Sequence, residues 1–422
     1  MDYLIISDIP TPWREPVFER VYQKLGDAVQ VVYFKHNESR RLWTFKMGSH
    51  PRSVLRSATL TIDDTDHFLS PGIVPLLLRQ RPRVALIFAC TKDPSCWLAM
   101  GLCRLLGTKL ALLADTWQGR DRDIGFLRRW ARGFVYNRFG DAFVGTSRQT
   151  LAMFRHYNSR ILDEQCFLSH LVADNDYFQS RLAGRQLERR FDVMFSGRIV
   201  ELKNPTFFAE VCTGIKDRLG HCRVLIIGEG EKSLKARMRQ IFHQHGISCE
   251  FAGFIPHLAL PEYYAQSRLL LLPTSRDCWG VVINEAMAAG TPVITTEWTA
   301  AAGELVLDQR NGYVLPLDVE TWASAASELL SNQSKWKAFS QCALQTVQEF
   351  NFDKAANGIL DAFAYLSGRH GSVKQQPSRL TQSETVTEKC ASPFQGSQAG
   401  LLCPEQDPSV TDLPGSLGRR DQ

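Results

Sequence analysis

Residues 268–290 read RLLLLPTSRDCWGVVINEAMAAG. Four consecutive leucines bounded by Pro273 have the length and unbroken apolar character of a strand buried on both faces, as in a parallel sheet. A short polar loop follows, and from Gly280 onward the spacing predicts a helix. This is half of a βαβ unit, and ligands bind such sheets at the carboxyl ends of their strands. Gly280 and the residues after it turn unpaired backbone N–H groups and the positive end of the helix dipole toward that edge, which suits an anion. Asp277 lies in the loop and Glu285 one to two turns inside the helix. Placed on either side of the glycine, the two acids can grip hydroxyl groups flanking a bound phosphate.

Two further stretches have the same form. In FSGRIVELKNP (195–205) a strand ends in Ser-Gly and delivers Arg198 and Lys203 to its carboxyl end. An arginine can hold two phosphate oxygens at once and a lysine adds a point charge. In Ile227-Gly228-Glu229-Gly230 a strand ends in a turn through which backbone can approach a ligand.

Outward from these segments, short apolar runs alternate with amphipathic ones. Strands are expected at 3–7, 29–34, 84–88, 110–113 and 142–144, with helices at 17–25, 95–106, 124–139 and 147–157. The polar stretch 174–190 carries no strand signal. Strands resume at 192–196, 223–227, 248–251, 269–272, 292–295 and 312–315, and helices over 335–350 and 353–366 close the pattern. The alternation predicts an α/β chain with two doubly wound parallel-sheet domains. Residues from 369 onward turn to Ser, Gln, Pro, Thr and Gly and read as a disordered tail. Residues 1–185 carry 26 basic and 18 acidic side chains, residues 186–368 carry 17 and 20. The first half is therefore the one expected to meet an anionic partner.

Eleven scattered cysteines show no zinc-ligand spacing, which excludes a disulfide framework and fits reduced thiols in the cytoplasm. The N-terminal MDYLIISDIP lacks the charge and length of a secretory signal, and no run reaches the roughly 18 apolar residues a spanning helix needs.

Taken in order, the strand-SGR-x4-K opening, the Ile227–Gly230 strand end, Ala252-Gly253-Phe254 with Leu260-Pro261-Glu262-Tyr263-Tyr264, the E-A-M-A-x-G-T-P-V-I run from Glu285 and the Asn311–Val314 strand resemble the family 4 glycosyltransferases. These are retaining enzymes that use nucleotide sugars and have the GT-B fold, two Rossmann-like domains facing a central cleft. The resemblance is continuous from about 191 to 366. It implies an acceptor-binding domain over 1–180, a donor-binding domain over 181–350 and a closing helix over 351–368 that packs back toward the first domain, ahead of the tail at 369–422.

The same resemblance implies that Arg198 and Lys203 hold the donor diphosphate and that Glu285 binds the ribose hydroxyls. Asp277, one methylene shorter than the usual acid, would contact the donor sugar. Gly228, Gly230, Phe254, Gly280 and Val281 fall on the donor side. The family's glycine-rich acceptor loop is replaced here by T-P-W-R-E-P, which makes Trp13 and Arg14 acceptor-side candidates, and Asp115, after the strand at 110–113, is a candidate to assist the acceptor hydroxyl. No metal or cofactor is expected beyond the nucleoside diphosphate sugar as co-substrate, and the acceptor is expected to be a glycan or lipid-linked.

Other readings stay open. Gly228-x-Gly230 with Glu250 some 20 residues on mimics a dinucleotide fingerprint with its third glycine replaced by Ser233, which would make an NAD(P)-dependent oxidoreductase. A non-catalytic nucleotide-sugar-binding protein would keep the same cleft. The acidic triplets at 64–66, 121–123 and 174–176 resemble a metal-binding D-x-D and read as chance. Residues 120–139 place Phe126, Trp130 and Phe134 on one helical face among Arg128, Arg129, Arg132 and Arg138. That pattern suits either a core helix with a wet arginine side or contact with an anionic membrane surface. No nucleic-acid motif accompanies the basic charge.

Overall fold

The computed structural model describes residues 1–36, 47–62, 65–89, 91, 93–117, 119, 125–185 and 187–368. The tail and the triplets at 64–66 and 121–123 lie wholly or partly outside them. The first lobe holds a seven-stranded parallel sheet in the order β3-β2-β1-β6-β7-β8-β9. These are β1 (Tyr3–Ser7), β2 (Val29–Tyr33), β3 (Arg52–Val54), β6 (Val84–Phe88), β7 (Lys109–Ala114), β8 (Ala142–Gly145) and β9 (Cys166–Leu168). A separate antiparallel hairpin pairs β4 (Ala58–Ile62) with β5 (Thr65–Leu69). The second lobe holds six parallel strands in the order β12-β11-β10-β13-β14-β15. They are β10 (Phe191–Ser196), β11 (Arg223–Ile227), β12 (Ser248–Gly253), β13 (Ser267–Leu272), β14 (Val293–Thr295) and β15 (Gly312–Val314). Both sheets are doubly wound, and together they form the two Rossmann-like domains of a GT-B fold around a central cleft.

Strand pleating sorts the core into three layers. On β1, Tyr3 and Ile5 face inward between the lobes while Leu4 and Ile6 face the outer layer of the first lobe. On β11, Leu225 and Ile227 face the same inner layer and Val224 and Ile226 the outer layer of the second. Successive strand side chains point to opposite faces, so sheets covered on both sides need apolar residues at every position. Fully burying one such side chain contributes about 1.5–3 kcal/mol. Every residue of β10 is buried accordingly.

The stretch 174–190, which carries no strand signal, contains the helix Asn175–Leu182, capped by Asp174 Oδ1 accepting from Tyr177 N at 2.9 Å. That helix straddles residue 180 and packs on Leu260–Ala265 and Val281–Ala288 of the second lobe. The closing helix Phe352–Leu366 packs against Glu15–Leu25 and along β7, β8 and β9 of the first lobe. Its Phe363 stacks on Tyr3 with ring centroids 4.8 Å apart. β3, β9 and the hairpin were not expected from the sequence.

Candidate active site

In each sheet the strand order reverses beside one strand, and the crevice at the carboxyl ends there is where doubly wound sheets bind ligands. In the second lobe that point lies between β10 and β13. The loop after β10 carries Arg198 and Lys203, and the loop after β13 carries Asp277. Lys203 and Asp277 thus come together because their strands are neighbours, although they are 74 residues apart in sequence.

Lys203 Nζ donates to Asp277 Oδ2, and both side chains are less than one-fifth exposed. Arg198 is exposed at the cleft end of its strand, with no hydrogen bond or ion pair from its side chain among the described residues. Gly280, at φ 87°, turns the chain into the helix Val281–Ala288 from a left-handed conformation that glycine adopts without strain. Val281 is half-buried at the first helical position, and Phe254, 45% exposed, follows β12.

Glu285 is buried on that helix, 9% exposed. Its Oε2 accepts from Tyr264 Oη at 2.6 Å, and Tyr264 Oη lies 2.8 Å from Ser196 Oγ, the last residue of β10. With the tyrosine proton given to the carboxylate, the serine hydroxyl is left to donate to the tyrosine oxygen. Burial raises the Glu285 carboxyl from 4.5 to about 7, opposed by the Tyr264 hydrogen bond. A buried acid raised this far marks a functional-site candidate, since a structural role would be filled at lower free energy by an amide.

Gly228 and Gly230 do something other than admit a ligand. A Cβ at Gly228, where φ is 124°, would lie 2.0 Å from the Gly197 carbonyl oxygen, and one at Gly230 would lie 2.0 Å from that of Ile199. Ile199 N donates to Glu229 O at 2.9 Å and Glu231 N to Ile199 O at 2.9 Å. The glycines therefore let the β11 loop press against the segment carrying Arg198. A dinucleotide fingerprint spends its glycines on close approach of a pyrophosphate, so this packing disfavours the oxidoreductase reading.

In the first lobe, Trp13 is half-buried and Arg14 is 2% exposed, at the start of Glu15–Leu25. Arg14 N and Glu15 N both donate to Thr11 O, which makes a tight turn of the T-P-W-R-E-P loop. Asp115 follows β7, half-buried and close enough to Arg14 to favour its charged form. The structure thus gathers Arg14 and Asp115 on one lobe and Arg198, Lys203, Asp277 and Glu285 on the other.

Contacts that sequence reasoning missed bring the lobes together. Trp117, two residues after Asp115, donates from Nε1 to the Asp277 carbonyl at 2.7 Å and stacks on Trp298 with centroids 6.3 Å apart. Glu304 accepts from Arg148 N at 2.7 Å, at the start of Arg148–Tyr157, and lies 3.2 Å from His170 Nε2. No spacing rule links residues 160 and 156 positions apart, and only the tryptophans flanking polar loops offered a signal. Among the described residues, no group of three or more His, Cys, Asp or Glu side chains is placed to hold a metal ion, and no helix is long and apolar enough to cross a membrane.

Comparison with known proteins adds a family to this geometry. Residues 190–332 match the model of the glycosyl transferases group 1 family. The match covers most of the second lobe and about a third of the chain. A D-inositol 3-phosphate glycosyltransferase of Mycobacteroides abscessus is 31% identical over 180 residues, covering 40% of this chain and 38% of the relative. A 2-deoxystreptamine N-acetyl-D-glucosaminyltransferase of Niallia circulans is 28% identical over 159 residues, 37% of this chain and 40% of the relative. The chain thus matches less than half the length of these curated relatives. Over the whole fold, the crystal structure of Anabaena HepE in complex with UDP superposes with a TM-score of 0.66 at 14% identity, covering 86% of this chain and all of that one. The group 1 match and the GT-B frame around it agree with the sequence resemblance.

Proposed function

We propose that this chain is a retaining glycosyltransferase, moving a sugar from a nucleoside diphosphate donor held by the second lobe to a hydroxyl of a glycan or lipid-linked acceptor held by the first lobe. The observation that carries the reading is the Lys203–Asp277 pair, joined across the loops that follow the neighbouring strands β10 and β13, with the buried Glu285 tied through Tyr264 to Ser196 at the end of β10. As the bond from the anomeric carbon to the diphosphate breaks, negative charge grows on the leaving oxygens. Arg198, Lys203 and the backbone N–H groups after Gly280 are the positive groups that stabilise it at the mouth of the cleft. Glu285 takes the ribose hydroxyls, Asp277 the donor sugar, with Gly228, Gly230, Phe254 and Val281 shaping the donor side. The acceptor proton passes to the departing phosphate on the same face, so no protein nucleophile is needed. The relatives named for transfer of sugars to small hydroxylated acceptors support the reading. Incubation with UDP-, GDP- and ADP-sugars tests it: release of sugar or glycoside with retained anomeric configuration by NMR is expected, unaffected by a chelator. Tight nucleotide-sugar binding without turnover would favour a binding protein instead.

The location proposed is the cytoplasm, at a membrane surface. Eight described cysteines are free thiols, as a reducing compartment allows. On the helix Phe126–Arg138, Phe126, Leu127, Trp130 and Phe134 are 77%, 77%, 60% and 42% exposed, and Arg128, Arg129 and Arg138 are exposed with them. An apolar stripe flanked by arginines suits the interface of an anionic bilayer. Residues 120–124 of the expected basic segment lie outside the described residues. Co-sedimentation with phosphatidylglycerol vesicles and its loss in Phe126→Ser/Trp130→Ser are expected, whereas equal binding to phosphatidylcholine would contradict the placement.

A further inference from the structure

Among the described residues Arg14 is buried and Arg189 half-buried, and they differ in one respect. Arg189 donates to Ser267 O, Thr291 Oγ1, Ala289 O and Gly290 O, closing the carboxyl end of Val281–Ala288. Arg14, 2% exposed, has no hydrogen-bond partner for Nε, Nη1 or Nη2 among the described residues. Its guanidinium lies over the Phe88 ring at 5.5 Å, and burial lowers its pKa to about 10, opposed by the charges of Asp115 and Asp8. It stays protonated at neutral pH. The hydroxyl of Thr11, in the same turn, is also buried without a partner. Leaving a buried charged donor unsatisfied carries a large desolvation penalty, so such a group is expected to meet a ligand.

The surroundings say which kind. Asp8 follows β1, Phe88 ends β6 and Asp115 follows β7, three adjacent strands of the first sheet. Arg14 therefore sits in the first lobe's own switch-point crevice, attracted by two carboxylates but joined to neither by an ion pair among the described residues. Arg14 and Asp115, the nearer of the two by its larger effect, together carry no net charge. A phosphate or carboxylate entering here would meet repulsion from Asp115. A neutral hydroxyl meets both needs: its oxygen accepts from Arg14 and its proton is donated to a carboxylate. Trp117, two residues from Asp115, is bonded to the Asp277 backbone, so this crevice opens beside the donor-side pair.

We infer that Arg14 and Asp115 form the subsite for the attacking hydroxyl of an uncharged polyol acceptor, Arg14 donating to that oxygen and Asp115 accepting its hydrogen bond before the proton leaves. This rests on the glycosyltransferase reading and deepens it. Phosphate groups of an acceptor, where present, lie outside the crevice.

Donor hydrolysis tests it without knowledge of the acceptor, because water is the smallest hydroxyl compound. The water oxygen bonds to the anomeric carbon, the bond to the diphosphate oxygen breaks and the water proton goes to the departing diphosphate. With the best-bound nucleotide sugar, Arg14→Ala and Asp115→Asn are expected to lower sugar release by about tenfold or more while leaving donor Kd unchanged. Millimolar guanidinium is expected to restore part of the Arg14→Ala rate, a rescue that a misfolded variant would not show. Glucose is expected to suppress sugar release to water more strongly than glucose 6-phosphate. Wild-type hydrolysis by Arg14→Ala, absence of guanidinium rescue, or tighter inhibition by glucose 6-phosphate would each overturn the subsite. A wild-type protein that releases no sugar from any donor would overturn the glycosyltransferase reading instead.

Discussion

Replacing Glu285 with glutamine should make the ligand-free protein more stable at alkaline pH while weakening its grip on nucleotide. The unfolded carboxyl ionises near 4.5 and the folded one near 7, so the folded state holds the extra proton between those values. Its stability contribution is fully present below about 4.5 and is lost as pH rises through about 7. The difference corresponds to about 3 kcal/mol of penalty on the buried carboxylate at pH 8. Glutamine is nearly the same size and its carbonyl can still accept from Tyr264, so it removes the charge and keeps the contact. Urea unfolding at pH 8 should show Glu285→Gln more stable by about 1–3 kcal/mol, with the gap closing at pH 5. Nucleoside diphosphate affinity should fall, because an amide accepts ribose hydroxyls less strongly than a carboxylate. A variant less stable than wild type at pH 8, or a gap of equal size at both pH values, would refute the burial of an ionised acid at this position.

Wild-type donor affinity should decline as pH falls below about 7, where Glu285 becomes protonated, and calorimetry from pH 5.5 to 8 would detect it. Tyr264→Phe removes the bond that favours the carboxylate, so that decline should move to higher pH. Gly228→Ala would place a methyl 2.0 Å from the Gly197 oxygen at a positive φ; a loss of about 2–4 kcal/mol in stability is expected, with the Arg198 loop displaced. Trp117→Phe deletes the bond to Asp277 while keeping the ring, and should raise KM and loosen the lobes in small-angle scattering, with little change in Tm.

The parallel strands were legible because burial on both faces writes itself as an unbroken apolar run. Val84–Phe88 and Arg223–Ile227 are found with the boundaries that the sequence suggests. Arg52–Val54 and Cys166–Leu168 are three-residue, half-buried edge strands with no such run, and pairing with a neighbour defines them. The helix Asn175–Leu182 was hidden because its buried side is narrow, Asn175 and Phe178 alone being fully buried. Of the site, the loop acids and cations were visible because each follows a readable strand. The Ser196–Tyr264–Glu285 relay was not, since its members are 68 and 21 residues apart and meet only when β10 and β13 pair. Gly228 and Gly230 were noticed for the right property, close backbone approach, but the approaching group is the chain itself.

The claim on which the rest depends is that Arg198, Lys203 and Glu285 share one nucleotide-sugar site. Calorimetric titration of wild type, Arg198→Ala and Lys203→Ala with UDP, GDP and ADP addresses it directly. The account expects one nucleotide to bind the wild type and each variant to lose about 1.5–3 kcal/mol of that affinity at unchanged Tm. Affinity equal to wild type in both variants would contradict it.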